Sequence, residues 1–74
     1  MAITRTQLAR YDGKGGNPAY VAYGGRVYDV SKVFRNGEYN GLKAGTDLTD
    51  RLSFDEAVNF LERNGIIVGG ISDE

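Results

Sequence analysis

Two runs of alternating and β-branched residues predict a β-hairpin in the first half of the chain. They span residues 19–23 and 26–30, and Gly24-Gly25 lies between them. A glycine pair suits the positive φ values of a two-residue hairpin turn. The pattern therefore predicts two antiparallel strands joined by a tight turn.

The pattern after Ser53 predicts the longest helix. Ser53 and Glu56 form a Ser-x-x-Glu capping box, in which each side chain binds the backbone N–H of the other residue. Apolar residues then recur at helical spacing until Asn64-Gly65 ends the run. The face predicted to be buried consists of Phe54, Ala57, Val58 and Leu61.

Shorter patterns predict more helical structure. Residues 6–11 begin with a capping threonine and end before a glycine, which is typical of a short helix. Ser31 is predicted to cap a brief helical turn over 32–34. Residues 46–52 are predicted to be helical, because Leu48 and Leu52 lie one turn apart on a shared face.

The remaining segments predict a loop, a strand and a tail. Residues 36–41 are interrupted by glycines and are predicted to form a loop. Residues 66–68 predict a short buried strand, after which Gly69-Gly70 is predicted to release the tail. The order helix, hairpin, helices and strand predicts one α+β domain over 1–74, a small antiparallel sheet built on the hairpin with short helices forming one pocket.

Composition excludes much chemistry. The 74 residues contain no histidine and no cysteine. Their absence removes disulfides, thiolate nucleophiles, the usual zinc sites and the commonest general base. No Ser-x-x-Lys pair is present for nucleophilic catalysis. We therefore expect a binding protein and not an enzyme.

Charge and hydropathy exclude other classes. Residues 1–43 carry seven basic and three acidic side chains, whereas residues 44–74 carry two and seven. No basic run is present, which argues against nucleic-acid binding. No segment has the roughly 20 apolar residues that span a bilayer, and the first residues lack the apolar region of a signal peptide. We expect a cytoplasmic domain without a membrane-spanning segment.

Tyr39 is the strongest candidate for chemistry. The loop 13–16 lacks the spacing of a phosphate-binding motif. Tyr39 lies in a polar loop, where an aromatic gains nothing from local propensity. Its ring is predicted either to fold over the edge of the core or to point into a cleft. In the second case its phenol is a candidate metal ligand, since tyrosinate serves as an axial ligand of haem iron. The predicted cleft walls are Phe34, Leu42, Leu48 and Leu52.

Five stretches in this order resemble the cytochrome b5-like haem/steroid-binding domain. They are 8–13 (LARYDG), 18–22 (PAYVA), 25–31 (GRVYDVS), 44–49 (AGTDLT) and 67–69 (IVG). Nearly the whole chain is covered. The resemblance implies a cytochrome b5-like fold.

The resemblance also implies a function. Cytochromes b5 hold haem between two histidines, which this chain lacks. It is similar instead to the membrane-associated progesterone receptor branch, which coordinates haem through a tyrosine shortly before Ala-Gly-x-Asp. Tyr39, five residues before Ala44, occupies nearly that place, with a spacing one residue longer. The resemblance thus implies haem b with Tyr39 as its single ligand. Lys43 is predicted either to pair with a haem propionate or to be an ordinary solvated surface lysine. The alternatives are a module for a steroid-like or other apolar molecule, or a haem-free interaction domain.

Overall fold

A computed structural model describes residues 1–72 of the chain. Its strands and helices, in chain order, are β1 (Ala2–Thr4), α1 (Arg5–Leu8), β2 (Tyr20–Tyr23), β3 (Arg26–Asp29), β4 (Glu38–Tyr39), β5 (Leu42–Lys43), α2 (Phe54–Asn64) and β6 (Ile66–Ser72). This mixture of short helices with a small sheet confirms the predicted α+β class.

The main sheet has the strand order β1-β6-β3-β2. Strands β2 and β3 form the predicted hairpin, and Gly24 and Gly25 have the expected positive φ values of 58° and 83°. Strand β6 lies antiparallel to β3 and parallel to β1. The sheet is therefore mixed, and the prediction of a purely antiparallel sheet missed β1.

Helix α2 begins and ends where the sequence predicts. The Ser53 hydroxyl accepts from the Glu56 N–H at 3.2 Å, and the Glu56 carboxylate accepts from the Ser53 N–H at 3.0 Å. Ala57 and Leu61 are buried as predicted. Phe54 is 72% exposed, so its predicted burial was wrong. Its ring borders a shallow surface groove instead of entering the core.

The first helix is shorter than predicted, and its cap lies two residues before the predicted Thr6. Helix α1 is capped by Thr4, whose hydroxyl accepts from the Gln7 N–H at 3.1 Å, and Gln7 completes a second capping box. Beyond Leu8 the chain continues in turns. Tyr11 leaves the helix and stacks on Tyr20 with ring centroids 4.4 Å apart.

Residues 46–52 do not form the predicted helix. The Thr46 carbonyl accepts from the Ala22 N–H at 3.0 Å, and the Leu48 N–H donates to the Ala22 carbonyl at 2.8 Å. This segment therefore runs beside β2. A single turn follows, in which the Leu48 carbonyl accepts from the N–H groups of Arg51 and Leu52. That one turn explains the helical spacing of the two leucines.

The segment after β3 turns without the predicted cap. The Ser31 hydroxyl donates to Asp29 at 2.6 Å and accepts from the Ala19 N–H at 2.9 Å. The N–H groups of Val33 and Phe34 both donate to the carbonyl of residue 30 at 3.1 Å. Ser31 thus ties this turn to Ala19, the residue before β2.

Strand β6 extends past its predicted end. Gly69-Gly70 lies inside the strand and does not release the tail, because β1 pairs along residues 70–72. Ile66 and Ile67 are 61% and 53% exposed, so their predicted burial was also wrong. The apolar run marks a real strand whose first residues face solvent.

Residues 36–41 form turns and a second, two-stranded sheet where a loop was predicted. Asn36-Gly37 and Asn40-Gly41 all have positive φ, between 49° and 81°. This backbone suits two-residue turns. The second turn, Asn40-Gly41, joins β4 to β5, and Tyr39 pairs opposite Leu42. The small hairpin holds Tyr39 in a defined position.

The larger of two hydrophobic clusters lies between the main sheet and α2. Its buried members are Ala19, Val21, Val30, Phe34, Ala44, Leu48, Ala57 and Leu61. The partly buried side chains of Tyr39, Leu42, Leu52 and Phe60 pack against it. Within residues 1–72, no helix has the length and hydropathy to cross a membrane.

Candidate functional site

An open cleft of about 420 Å³ lies over the edge of the larger cluster. The β4–β5 hairpin supplies one wall, the turn before α2 a second, and the first half of α2 the third. Its lining residues are Tyr39, Asn40, Leu42, Arg51, Leu52, Glu56 and Phe60. The volume falls within the range of about 300–1,000 Å³ that is usual for small-molecule sites.

Two aromatic rings, Tyr39 and Phe60, line the cleft, and the buried ring of Phe34 packs against both. Tyr39 stacks on Phe60 with centroids 4.9 Å apart and planes 22° apart. Phe34 lies 5.8 Å from Tyr39 and 6.1 Å from Phe60, and it is only 5% exposed. Offset and tilted pairs at these distances are favourable for aromatic rings. The half-buried Tyr39 therefore packs on the core edge and lines the cleft at the same time.

The Tyr39 hydroxyl has no hydrogen-bond partner among residues 1–72. In contrast, the Tyr23 hydroxyl donates to the Leu52 carbonyl at 3.4 Å. A phenol at a cleft wall without a protein partner is available to a ligand. Among the described residues that line the cleft, only Tyr39 has both an aromatic ring and a side-chain oxygen without a hydrogen-bond partner.

The structure brings only part of the predicted site together. Tyr39, Leu42 and Leu52 line the cleft. Phe34 and Leu48 are buried in the larger cluster and are not among the lining residues of the cleft. Lys43 is exposed on β5 and is not among the lining residues, so its pairing with a ligand stays a prediction.

Sequence patterns did not reveal the other half of the cleft. Glu56 and Phe60 lie one helical turn apart on α2. They are next to the face, with Ala57 and Leu61, that the sequence predicts to be buried. That spacing of four was a usable signal. Arg51 had none, since it lies in the turn before the helix and follows no periodic pattern.

The two charged lining residues differ in how they are held. The Ser53 backbone N–H, bound to the Glu56 carboxylate, lowers the pKa of Glu56. Glu56 therefore stays ionised to a lower pH than an ordinary glutamate does. Arg51 forms no ion pair with any described residue. The cleft thus contains one anion that is hydrogen-bonded within the capping box of α2, and one cation that has no ion-pair partner among the described residues.

The donor set limits what the cleft holds. No three acidic side chains within residues 1–72 lie close enough together to bind a metal ion. The available donor is one phenol beside a stack of rings. Such a site suits a planar apolar ligand, including one that carries its own metal and needs a single protein ligand.

A second, smaller groove of about 180 Å³ lies on the other side of α2. It contains none of the predicted site residues. Exposed Phe54 borders it, with Arg26 and Glu62 of opposite charge among its other lining residues.

Comparison with known proteins finds solved structures that are similar to this chain. It matches no protein-family model and no curated protein. A Hadesarchaea cytochrome b5 domain protein is 35% identical, with a TM-score of 0.78, over 97% of this chain and 99% of that chain. A Methanococcoides burtonii cytochrome b5 domain protein is 31% identical, with a TM-score of 0.78, over 97% of each. These likenesses confirm the fold predicted from the sequence.

Proposed function

The chain belongs to the cytochrome b5 domain family, and we propose that it binds haem b in the cleft with Tyr39 as the single protein ligand to iron. The observation that carries the proposal is the uncommitted Tyr39 phenol at the wall of an aromatic cleft. No histidine is available in the chain to take its place.

The side chains around Tyr39 fit a flat, apolar group. Leu42, Leu52 and Phe60 supply apolar surface, and burial of such surface yields roughly 25 cal/mol per Å². The Tyr39 ring packs against both Phe60 and buried Phe34. A ring held in this way loses little conformational freedom on binding.

A phenolate ligand sets the character of the site. Haem supplies a redox-active iron when bound, and an anionic oxygen ligand favours its ferric form. Tyr39 would therefore suit a protein that carries or senses haem better than one that shuttles electrons. In function, the proposal groups the chain with the membrane-associated progesterone receptor branch, which it resembles in lacking the histidine pair.

Titration with hemin, followed by visible absorption, tests the proposal. We expect the wild type to give a saturable spectrum of high-spin ferric haem. Tyr39→Phe removes only the ligating oxygen and is expected to abolish that spectrum. Tyr28→Phe is the matched control, because Tyr28 is half-buried against the same cluster but lies outside the cleft. An unchanged spectrum in Tyr39→Phe contradicts the ligand assignment.

The same cleft supports one alternative occupant. Leu42, Leu52 and Phe60 present apolar surface that requires no metal in the ligand. A steroid-like molecule that raises the melting temperature, when hemin does not, would favour this alternative over haem.

A further inference from the structure

We propose that Arg51 makes the cleft selective for ligands that carry a carboxylate. The inference rests on the proposed function in one respect: when the ligand is haem, the carboxylate that Arg51 binds is a haem propionate. The observations that support the inference do not involve iron, because they concern only how the charged side chains around the cleft are arranged.

Arg51 is positioned by its backbone while its side chain stays uncommitted. Its N–H donates to the Leu48 carbonyl at 2.9 Å, which fixes the turn that leads into α2. Arg51 lines the cleft, and its guanidinium forms no ion pair with any residue in 1–72. By comparison, the Arg5 guanidinium lies 3.4 Å from Asp47.

Glu56, the other charged residue of the cleft, is hydrogen-bonded to the backbone at the start of α2. Its carboxylate is held by the Ser53 N–H at 3.0 Å, within the capping box of α2. Glu56 and Arg51 do not form an ion pair in the described structure. A ligand carboxylate in the cleft is thus attracted by Arg51 and repelled by Glu56, two opposed effects that substitution separates.

Arg51 is a better partner for a carboxylate than Lys43. Both side chains are exposed, but Arg51 lines the cleft, whereas Lys43, on β5 beside Leu42, does not. A guanidinium binds a carboxylate through two parallel hydrogen bonds, whereas an ammonium acts as a point charge. The cleft wall therefore favours Arg51 on both position and chemistry.

The test uses metal-free protoporphyrin IX and its dimethyl ester, with binding followed by porphyrin fluorescence. The ester keeps the flat ring and lacks both carboxylates. For the acid, we expect Arg51→Gln to weaken binding about fivefold, as for a solvent-accessible ion pair. Arg51→Lys should recover part of that loss. For the ester, both variants should bind as the wild type does.

Glu56→Gln supplies the opposite arm. Glutamine at this position keeps the capping box and removes the charge. We expect this variant to bind the acid more tightly than the wild type and the ester equally well. Arg63→Gln is the charge control, since Arg63 lies in the last turn of α2 and lines neither cavity.

The outcomes separate this inference from iron ligation. The two porphyrin probes carry no iron, so their binding does not depend on iron ligation by Tyr39. Ligation is tested separately, by titrating Tyr39→Phe with hemin. Equal losses for acid and ester in Arg51→Gln, or no loss for the acid, overturn the inference. A larger loss in Lys43→Gln than in Arg51→Gln, or no binding of either porphyrin by the wild type, also overturns it.

Discussion

Replacing Gly37 with alanine is expected to lower the free energy of unfolding by about 2–5 kcal/mol, from left-handed strain and overpacking together. Gly37 has a φ of +77° and is buried. A Cβ at this position would overlap the carbonyl oxygen of Asp12. Both main-chain segments would have to move apart. Because Gly37 lies two residues before Tyr39, we also expect weaker hemin binding in whatever fraction remains folded.

Gly41→Ala is the matched control. Gly41 has a φ of +81° in an equivalent Asn-Gly turn, but a Cβ added there would meet no described atom within 4 Å. It should cost only the left-handed strain, roughly 1–2 kcal/mol. Urea denaturation followed by circular dichroism measures both variants. Equal losses would show that Asp12 does not approach Gly37 as closely as described.

Leu48→Ala is expected to cost about 2–5 kcal/mol, the usual range for a fully buried leucine. Leu48 is 1% exposed and belongs to the larger cluster. Domains of this size rarely have more than about 3–5 kcal/mol of stability. We therefore expect a large part of the Leu48→Ala protein to be unfolded at room temperature in urea-free buffer.

Leu52→Ala separates the core from the cleft. Leu52 is half-buried and lines the cleft, so its loss should cost less stability and weaken hemin binding more per folded molecule. Denaturation curves and hemin titrations on both variants test this division. If Leu52→Ala destabilises the protein as much as Leu48→Ala, the two leucines share one environment and the division is wrong.

Local signals predicted the parts of the fold whose cause is local. Gly24-Gly25 specified its hairpin turn, and Ser53 with Glu56 specified the start of α2. Strand β1 was missed because its partner, β6, lies at the other end of the chain. The exposure of Ile66 depends equally on what covers β6, which periodicity does not reveal.

The cleft shows the same limit. Asn40-Gly41 is a strong hairpin signal, but strands of two residues are too short to show alternation. The spacing of Leu48 and Leu52 reflected a single turn, since residues 46–48 pair with β2. Tyr39 was found because an aromatic in a polar loop is unusual, whereas Arg51 resembles any surface cation until the walls around it are known.

The most direct test of tyrosine ligation is resonance Raman spectroscopy of the hemin-loaded protein with ring-deuterated tyrosine. We expect phenolate bands that shift on deuteration in the wild type and in Tyr28→Phe, and that vanish in Tyr39→Phe. Loaded protein with no deuterium-sensitive bands, or with bands that persist in Tyr39→Phe, would contradict the assignment of Tyr39 as the haem ligand.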